Sequence, residues 1–135
     1  MNKKKIIYVS ACIIIDANDK ILISSREHKN EFSKYWEFPG GKIEINETPE
    51  ECIIRELKEE LNIDASNNCL APIGFSSFDY EKFHVVLMLF VTRKWLGNPI
   101  PLEGNKLKWV SYSELRKHKM PEANKSLFPT IFDII

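Results

Sequence analysis

Three glutamates lie close together near the middle of the chain and could bind a cation. Glu56, Glu59 and Glu60 belong to the sequence Arg-Glu-Leu-Lys-Glu-Glu at residues 55–60. On an α-helix, a step of about 100° per residue brings their carboxylates into one arc of roughly 100°. Such like charges repel each other, and clustered oxygen ligands suit Mg²⁺ or Mn²⁺. Because an acidic helix is more often a solvated face, with Arg55 paired to Glu59, the flanking residues must decide between the two interpretations.

The residues before these glutamates predict the helix that carries them. Thr48 is a typical N-cap, Pro49 suits the first helical position, and Glu51 completes a capping box. We expect the helix to begin at Pro49 and to end near Leu61, with Asn62 in the left-handed conformation that often follows a helix. The apolar side chains of this segment form an adjoining arc that would face the core: Ile53, Ile54, Leu57 and Leu61.

A loop with two adjacent glycines precedes the helix. Its sequence, Glu-Phe-Pro-Gly-Gly-Lys-Ile-Glu, spans residues 37–44. Glycine lets the backbone approach another group closely, although a Gly-Gly pair by itself usually marks only a turn. Beside an acidic helix, a glycine carbonyl can join carboxylates as a ligand of a hard cation. The loop and the helix together therefore favour a metal site over a solvated face.

The spacing of these residues resembles the motif of the Nudix hydrolase family. That motif runs Gly, five residues, Glu, seven residues, then Arg-Glu-apolar-any-Glu-Glu-any-Gly-apolar. Here it spans residues 41–63 and departs once, with Asn62 in place of the last glycine. Asparagine tolerates the left-handed conformation better than most residues, so the departure is mild.

The resemblance implies roles for the residues of the motif. The ligands of Mg²⁺, or of Mn²⁺ in its place, would be the Gly40 carbonyl and the carboxylates of Glu56, Glu59 and Glu60, and these glutamates would also be catalytic. Arg55 would orient the glutamates by ion pairing, while Gly41 and Glu47 would support the site. The implied reaction is water attack on the β-phosphorus of a nucleoside triphosphate, releasing the monophosphate and pyrophosphate.

Three stretches outside the motif resemble the branch of the family that hydrolyses 8-oxo-dGTP and related oxidised guanine nucleotides. They are residues 36–44, 95–104 and 120–124. By this resemblance Asn124 would read the 6-oxo acceptor and the N7–H donor of the oxidised base, because an amide offers a donor and an acceptor together. Phe38 would line the base pocket, and Arg26 would contact the nucleotide. Asn124 could instead be the N-cap of a C-terminal helix.

Glu103 lies in a Pro- and Gly-rich loop at residues 99–105, where a lone glutamate is usually solvated. The resemblance implies that it is a further metal ligand and catalytic carboxylate. Either it or a glutamate of the motif would take the proton from the attacking water. Two alternatives stay open: a Nudix hydrolase of another nucleoside triphosphate or nucleoside diphosphate derivative, and an inactive Nudix domain that only binds nucleotides.

The composition bounds the class of protein. A chain of 135 residues, 44% of them hydrophobic, predicts a single domain over residues 1–135 with a sizeable core. Its formal net charge of zero gives no electrostatic case for duplex nucleic acid, so a small nucleotide is the expected partner. A monomer is the expected state. Three cysteines without CxxC spacing indicate reduced core thiols and a cytoplasmic protein. No segment reaches the roughly 20 apolar residues that span a bilayer, so no membrane partner is expected.

The order of the predicted elements indicates the fold. Strands are expected at residues 6–15, 21–26, 70–78, 83–92 and 107–111, and short helices at 113–117 and 125–134. The N-terminus has the basic and then apolar order of a secretory signal but no cleavage site, and residues 15–20 are typical of a hairpin turn between two strands. Strands interleaved with one early and one late helix predict an α/β/α sandwich around a mixed, curved β-sheet, which is also the Nudix fold.

Overall fold

The apolar runs of the sequence form the strands of two β-sheets. The computed structural model describes residues 4–25 and 35–135. Its elements in chain order are β1 (Lys5–Ile14), β2 (Ile21–Ser25), β3 (Trp36–Glu37), β4 (Gly40–Lys42), α1 (Pro49–Leu61), a 3₁₀ helix (Asn67–Cys69), β5 (Ala71–Asp79), β6 (Phe83–Thr92), β7 (Leu107–Val110), α2 (Tyr112–Leu115), α3 (Glu122–Lys125) and α4 (Phe128–Ile134). Arg26, the predicted nucleotide contact, lies outside the described residues.

Strand β1 organises the larger sheet, which has the order β4-β1-β6-β5. It runs parallel to β6 from the pair Lys5–Phe83 to the pair Ile14–Thr92, while its pairing with β4 and that of β5 with β6 are antiparallel. The smaller sheet, β3-β2-β7, is antiparallel. A turn in which Asp16 N–H donates to the Lys20 carbonyl leads the chain from β1 into β2. The mixed α/β fold is thus confirmed, but the single sheet that was expected is divided in two.

Both faces of β1 are buried in its second half, residues 10–14, and this creates two cores. Ala11 and Ile13 face a core that includes side chains of α2, α3 and α4. Cys12 and Ile14 face the opposite core, which is built largely on α1. A strand covered on both sides carries a continuous apolar run instead of an alternating one, as β1 does. The layers are therefore helix, sheet, helix, as the sandwich prediction required.

Helix α1 has the predicted bounds. Thr48 caps it, since its side chain accepts a hydrogen bond from the Glu51 N–H and the Glu51 side chain accepts one from the Thr48 N–H. Pro49 occupies the first turn. At the other end Asn62 is left-handed, with φ 57° and ψ 37°, and its N–H donates to carbonyls of the last turn. Local chemistry thus fixes both ends of the helix that carries the three glutamates.

The C-terminal region differs from the prediction of one helix over residues 125–134. Two short helices, α3 and α4, replace it, and residues 126–127 separate them. Pro129 explains the break, because a proline has no N–H to continue a helix and fits only the first turn of a new one. The helix predicted at 113–117 instead spans Tyr112–Leu115 and begins at the Ser111 cap.

The structure bears on the prediction of buried thiols and on the expectation that no segment spans a membrane. Cys12 and Cys52 are free and buried, whereas Cys69 is only partly buried, so the prediction of three core thiols was wrong for Cys69. None of the helices in residues 4–25 and 35–135 has the length and apolarity of a segment that crosses a bilayer.

Candidate active site

A cavity of about 950 Å³ lies between helix α1, strand β4 and the face of the larger sheet. Around α1 and β4 its lining is acidic and includes Glu37, Glu44, Glu56, Glu59, Glu60 and Glu103. Beyond these residues, towards α3, the lining is mainly apolar and includes Ile7, Val9, Phe83, Val85, Leu87, Pro121 and Ala123. We call these two parts the acidic end and the apolar end, and together they can hold a ligand with an apolar part and a cation.

Most of the predicted site residues meet at this cavity. Its lining includes Phe38, Gly40, Gly41, Glu56, Glu59, Glu60, Glu103 and Asn124. Arg55 and Glu47 do not line it but lie behind the glutamates, in contact with them or with the loop before α1. Residues separated by nearly 90 positions in the sequence are thus brought together at one place.

Arg55 is the centre of a network that holds the glutamates. Its Nε and Nη2 donate to the two oxygens of Glu47 at 2.7 and 3.0 Å, which is a bidentate pair. Its Nη1 donates to Glu56 at 2.7 Å and to Glu59 at 3.3 Å, and Nη2 also donates to the Lys42 carbonyl at 3.2 Å. One rigid guanidinium therefore fixes two of the cavity glutamates relative to strand β4.

Glu47 extends this network to the loop that precedes α1. The Glu44 N–H donates to Glu47 Oε1 at 3.0 Å, beside the bonds from Arg55. These hydrogen bonds lower the pKa of Glu47 to about 2, and the bond from the Arg55 side chain has the largest effect. Glu47 is consequently an ionised support of the loop and faces Arg55 instead of the cavity.

The two glycines are required by close contacts. A Cβ on Gly41 would lie 2.6 Å from Oε1 of Glu56, so any side chain there would displace this carboxylate. A Cβ on Gly40 would overlap the Ser10 carbonyl and lie 2.7 Å from the Ala11 Cα, across the β4–β1 pairing. The Gly-Gly pair thus lets the strand, the helix and the cavity meet without side chains between them.

Burial and mutual repulsion destabilise the charge at the acidic end. Glu60 is only 7% exposed, and burial, followed by the charges of Glu56, Glu37 and Glu103, raises its pKa to about 9. Burial also raises the pKa of Glu56, against the opposing effect of Arg55. A carboxylate in such surroundings is stabilised as an anion when a cation joins the cluster.

The loop that carries Glu103 is attached to the end of α1. The Ile100 N–H donates to the Leu61 carbonyl at 3.0 Å, and the Leu102 N–H donates to the Glu60 carbonyl at 2.9 Å. These carbonyls are among those that a helix leaves without partners at its C-terminus. By satisfying them, the loop is held beside α1 and Glu103 is brought to the same cavity as Glu60.

The donor set at this end fits a hard divalent cation. Carboxylates and a glycine carbonyl supply oxygen ligands only, as Mg²⁺ and Mn²⁺ prefer. Within the described part of the chain, no three acidic, histidine or cysteine side chains are already arranged so that they could hold a metal ion by themselves. Mg²⁺ usually keeps several waters and is shared with the phosphates of a substrate, so it does not need a complete set of protein ligands.

Asn124 occupies the opposite end of the cavity. It lies within α3 and is 8% exposed, so it is not the N-cap of a helix; Pro121 precedes α3 and Leu127 precedes α4. The N-cap alternative was therefore wrong. Among the described residues, none hydrogen-bonds to the Asn124 side-chain amide, which borders the cavity. The Asn124 amide atoms are not among the side-chain atoms that are sealed from solvent without a partner, so a ligand in the cavity could replace water as their hydrogen-bond partner.

The cavity also contains residues that the sequence did not single out. Glu37 could have been found, because it adjoins Phe38 in the glycine loop. Tyr80 carries no such signal, since it lies at the turn between β5 and β6 and reaches the cavity only through the sheet topology. The apolar side chains of β1 and β6 become neighbours for the same reason.

The fold and this site define a known class of protein. A family model described as the NUDIX domain matches residues 5–131, and the chain belongs to the Nudix family. Nudix hydrolases generally need a divalent metal ion, which agrees with the acidic end of the cavity.

Within the family, several of the similar proteins are 8-oxo-dGTP diphosphatases, while others that match over shorter stretches include a CTP pyrophosphohydrolase of Escherichia coli. An 8-oxo-dGTP diphosphatase of Proteus vulgaris is 38% identical over 105 residues, 78% of this chain and 91% of the relative. One of Haemophilus influenzae is 36% identical over 124 residues, 92% of this chain and 90% of the relative. A solved MutT structure, from work on the Aliivibrio salmonicida and Vibrio cholerae proteins, has a TM-score of 0.78 and 29% identity, covering 97% of this chain and 100% of that chain.

Proposed function

We propose that this chain is a metal-dependent diphosphatase that hydrolyses 8-oxo-dGTP to the monophosphate and pyrophosphate, and so removes a mutagenic nucleotide from the pool. The observation that carries the proposal is the Asn124 amide, which has no partner among the described residues and borders the apolar end of a cavity with carboxylates at its other end. The 8-oxo-dGTP diphosphatases of Proteus vulgaris and Haemophilus influenzae match this chain over most of its length and of their own. Their names support the same substrate.

The phosphates would bind at the acidic end together with the metal. The proposed ligands of Mg²⁺, or of Mn²⁺, are the Gly40 carbonyl and the carboxylates of Glu56, Glu59, Glu60 and Glu103. When bound there, the metal would supply a Lewis acid that lowers the pKa of a water and neutralises charge on the phosphates, including the nucleoside monophosphate that leaves. Arg55 holds Glu56 and Glu59 in place through the bonds from its Nη1, and Glu47 holds Arg55.

The chemical step needs one proton acceptor from the chain. The water oxygen forms a bond to the β-phosphorus, and the bond from this phosphorus to the oxygen shared with the α-phosphorus breaks. A carboxylate at the acidic end takes the proton of the water, and Glu56, Glu59, Glu60 and Glu103 all line the cavity there. Because the acceptor is a side chain and the nucleophile is water, no covalent enzyme intermediate is formed.

The base would bind at the apolar end. Phe38 is 2% exposed and lines the cavity, and its ring would form part of the wall around the base. The Asn124 amide would accept the N7–H bond of the oxidised guanine and donate to its 6-oxo group. Guanine itself has an acceptor at N7, and a site built around a hydrogen bond discriminates strongly against a ligand that cannot make it. Arg26 is proposed as a further contact of the nucleotide.

A free nucleotide also agrees with the charge of the chain. The formal net charge is zero, which gives no long-range attraction for duplex nucleic acid. We therefore propose that the substrate is a free nucleotide of the cytoplasmic pool. We propose, as a separate expectation, that the protein acts as a monomer.

A panel of substrates with pyrophosphate detection tests the proposed function. The panel contains 8-oxo-dGTP, dGTP, a pyrimidine triphosphate and a nucleotide sugar, each with Mg²⁺ and with excess chelator. We expect metal-dependent release of pyrophosphate, with 8-oxo-dGTP as the preferred substrate. Preference for the pyrimidine triphosphate or the nucleotide sugar would contradict the proposed substrate, and tight nucleotide binding without any turnover would contradict the enzymatic function.

A further inference from the structure

The element that carries Asn124 cannot hold its own position. Helix α3 has four residues, Glu122–Lys125, and its N-cap is Pro121, whose side chain caps nothing. The N–H groups of a first helical turn have no partners within the helix, and a single turn is unstable by itself. The orientation of α3, and with it that of Asn124, must therefore come from bonds to other elements.

Two hydroxyl groups supply these bonds, one from strand β5 and one from the turn that follows it, and both bind the residue before Asn124. The Ala123 N–H donates to the Tyr80 hydroxyl at 3.0 Å, which satisfies one of the free N–H groups of the first turn. The Ser76 hydroxyl donates to the Ala123 carbonyl at 2.8 Å, and the Ser126 hydroxyl donates to the same carbonyl at 3.0 Å. The residue before Asn124 is thus held on both its N–H and its carbonyl side.

The groups that hold Ala123 are themselves fixed. The Tyr80 ring packs between Phe78 and Phe83, with ring centroids 4.8 and 5.3 Å away. Ser76 is 6% exposed and lies in β5, paired with Leu87 of β6. Neither hydroxyl can follow α3 if that helix moves, because both are attached to the central sheet.

We propose that Tyr80 and Ser76 are positioning residues that set the Asn124 amide for recognition of the base. The inference rests on the proposed function and deepens it. Hydrogen bonds weaken steeply when their distance or angle changes, so a small shift of α3 would weaken the bonds from Asn124 to the oxidised base. Loss of either hydroxyl therefore reduces discrimination between 8-oxo-dGTP and dGTP, although neither hydroxyl reads the base itself.

Steady-state kinetics of Tyr80→Phe and Ser76→Ala test this inference. Each change removes a hydroxyl and keeps the rest of the packing. We expect the ratio of kcat/KM for 8-oxo-dGTP to that for dGTP to fall about fivefold in each, mainly through KM, as for the loss of one ordinary hydrogen bond. Tyr112→Phe is the matched control, because its hydroxyl donates to the Phe128 carbonyl at 3.4 Å and does not border the cavity. An unchanged ratio in Tyr80→Phe and Ser76→Ala would overturn the inference.

A double-mutant cycle shows whether the hydroxyls act through Asn124. In an Asn124→Ala background, Tyr80→Phe should change the ratio by less than about twofold, because residues that act through one another are not additive. An equal fall of the ratio in both backgrounds would mean that Tyr80 acts independently of Asn124, and the inference would be wrong.

Hydrogen exchange of the Ala123 amide separates this inference from the proposed function, because it needs no substrate. We expect this amide to exchange about tenfold faster in Tyr80→Phe than in the unmodified protein, with amides of β1 unchanged. If the unmodified protein does not discriminate between the two nucleotides but the exchange rises as expected, the proposed substrate is wrong and the positioning of α3 stands. Unchanged exchange would overturn the positioning itself.

Discussion

Arg55 shows at the residue scale how the site is kept in order. Its guanidinium donates to Glu47, Glu56 and Glu59. The side chains of all three glutamates are partly exposed to solvent. The hydrogen bonds that Arg55 donates to Glu47 come first among the causes that raise the pKa of Arg55 above its ordinary value, so its charge is constant. A planar group with five N–H donors can bind several carboxylates at fixed angles, which a lysine cannot.

Glu56 both borders the cavity and accepts a hydrogen bond from Arg55. We expect Glu56→Gln to lower kcat at least about a hundredfold, because a neutral amide binds a divalent ion weakly and stabilises less charge in the transition state. Pyrophosphate release measures the loss. Glu50→Gln, on the first turn of the same helix and outside the cavity lining, is the control and should retain activity. Full activity of Glu56→Gln would contradict the assignment of this residue.

At the scale of elements, Glu47 joins the loop before α1 to the helix. Its pKa is lowered to about 2, so the ionised form stabilises the folded state at pH values above its ordinary pKa of 4.5. This stabilisation is lost as the pH falls from 4.5 towards 2, where the carboxylate is protonated in both states.

Glu47→Gln should therefore be less stable than the unmodified protein at pH 7, and the difference should shrink as the pH falls below 4.5. Urea unfolding at a series of pH values measures the difference in free energy of unfolding. A difference that stays constant, or that grows towards acid, would show that the ionised pair with Arg55 is not the source of the stability.

The end of α1 provides a second prediction at this scale. Asn62 has φ 57°, in the left-handed region that glycine adopts freely and alanine avoids. We expect Asn62→Ala to reduce the free energy of unfolding by about 1 kcal/mol, and Asn62→Gly to leave it equal or higher. Chemical denaturation of the two variants gives the comparison, and a loss in Asn62→Gly as large as in Asn62→Ala would contradict the backbone argument.

At the scale of the whole molecule, the sequence predicts those features that depend on neighbours along the chain. The bounds of α1 follow from Thr48, Pro49 and Asn62, and the structure confirms them because caps act locally. The break before α4 was missed, although Pro129 carries the signal for it, because the apolar residues around it suggest one continuous helix.

Features made by distant segments could not be predicted in this way. The parallel pairing of β1 with β6 creates the apolar end of the cavity from residues about 78 positions apart. The bond from Ala123 to Tyr80 depends on this same arrangement of the sheet. A sequence pattern indicates that a strand is buried, but it does not indicate which strand lies beside it.

The central claim is that this molecule recognises an oxidised guanine through Asn124, and one ratio tests it directly. The measurement is kcat/KM for 8-oxo-dGTP divided by kcat/KM for dGTP, in the unmodified protein and in Asn124→Ala. We predict a ratio of at least about 100 in the unmodified protein and a fall of at least about tenfold in Asn124→Ala, because a pocket built for a hydrogen bond rejects a ligand that lacks it. A ratio near one in the unmodified protein, or an unchanged ratio in Asn124→Ala, would contradict the claim.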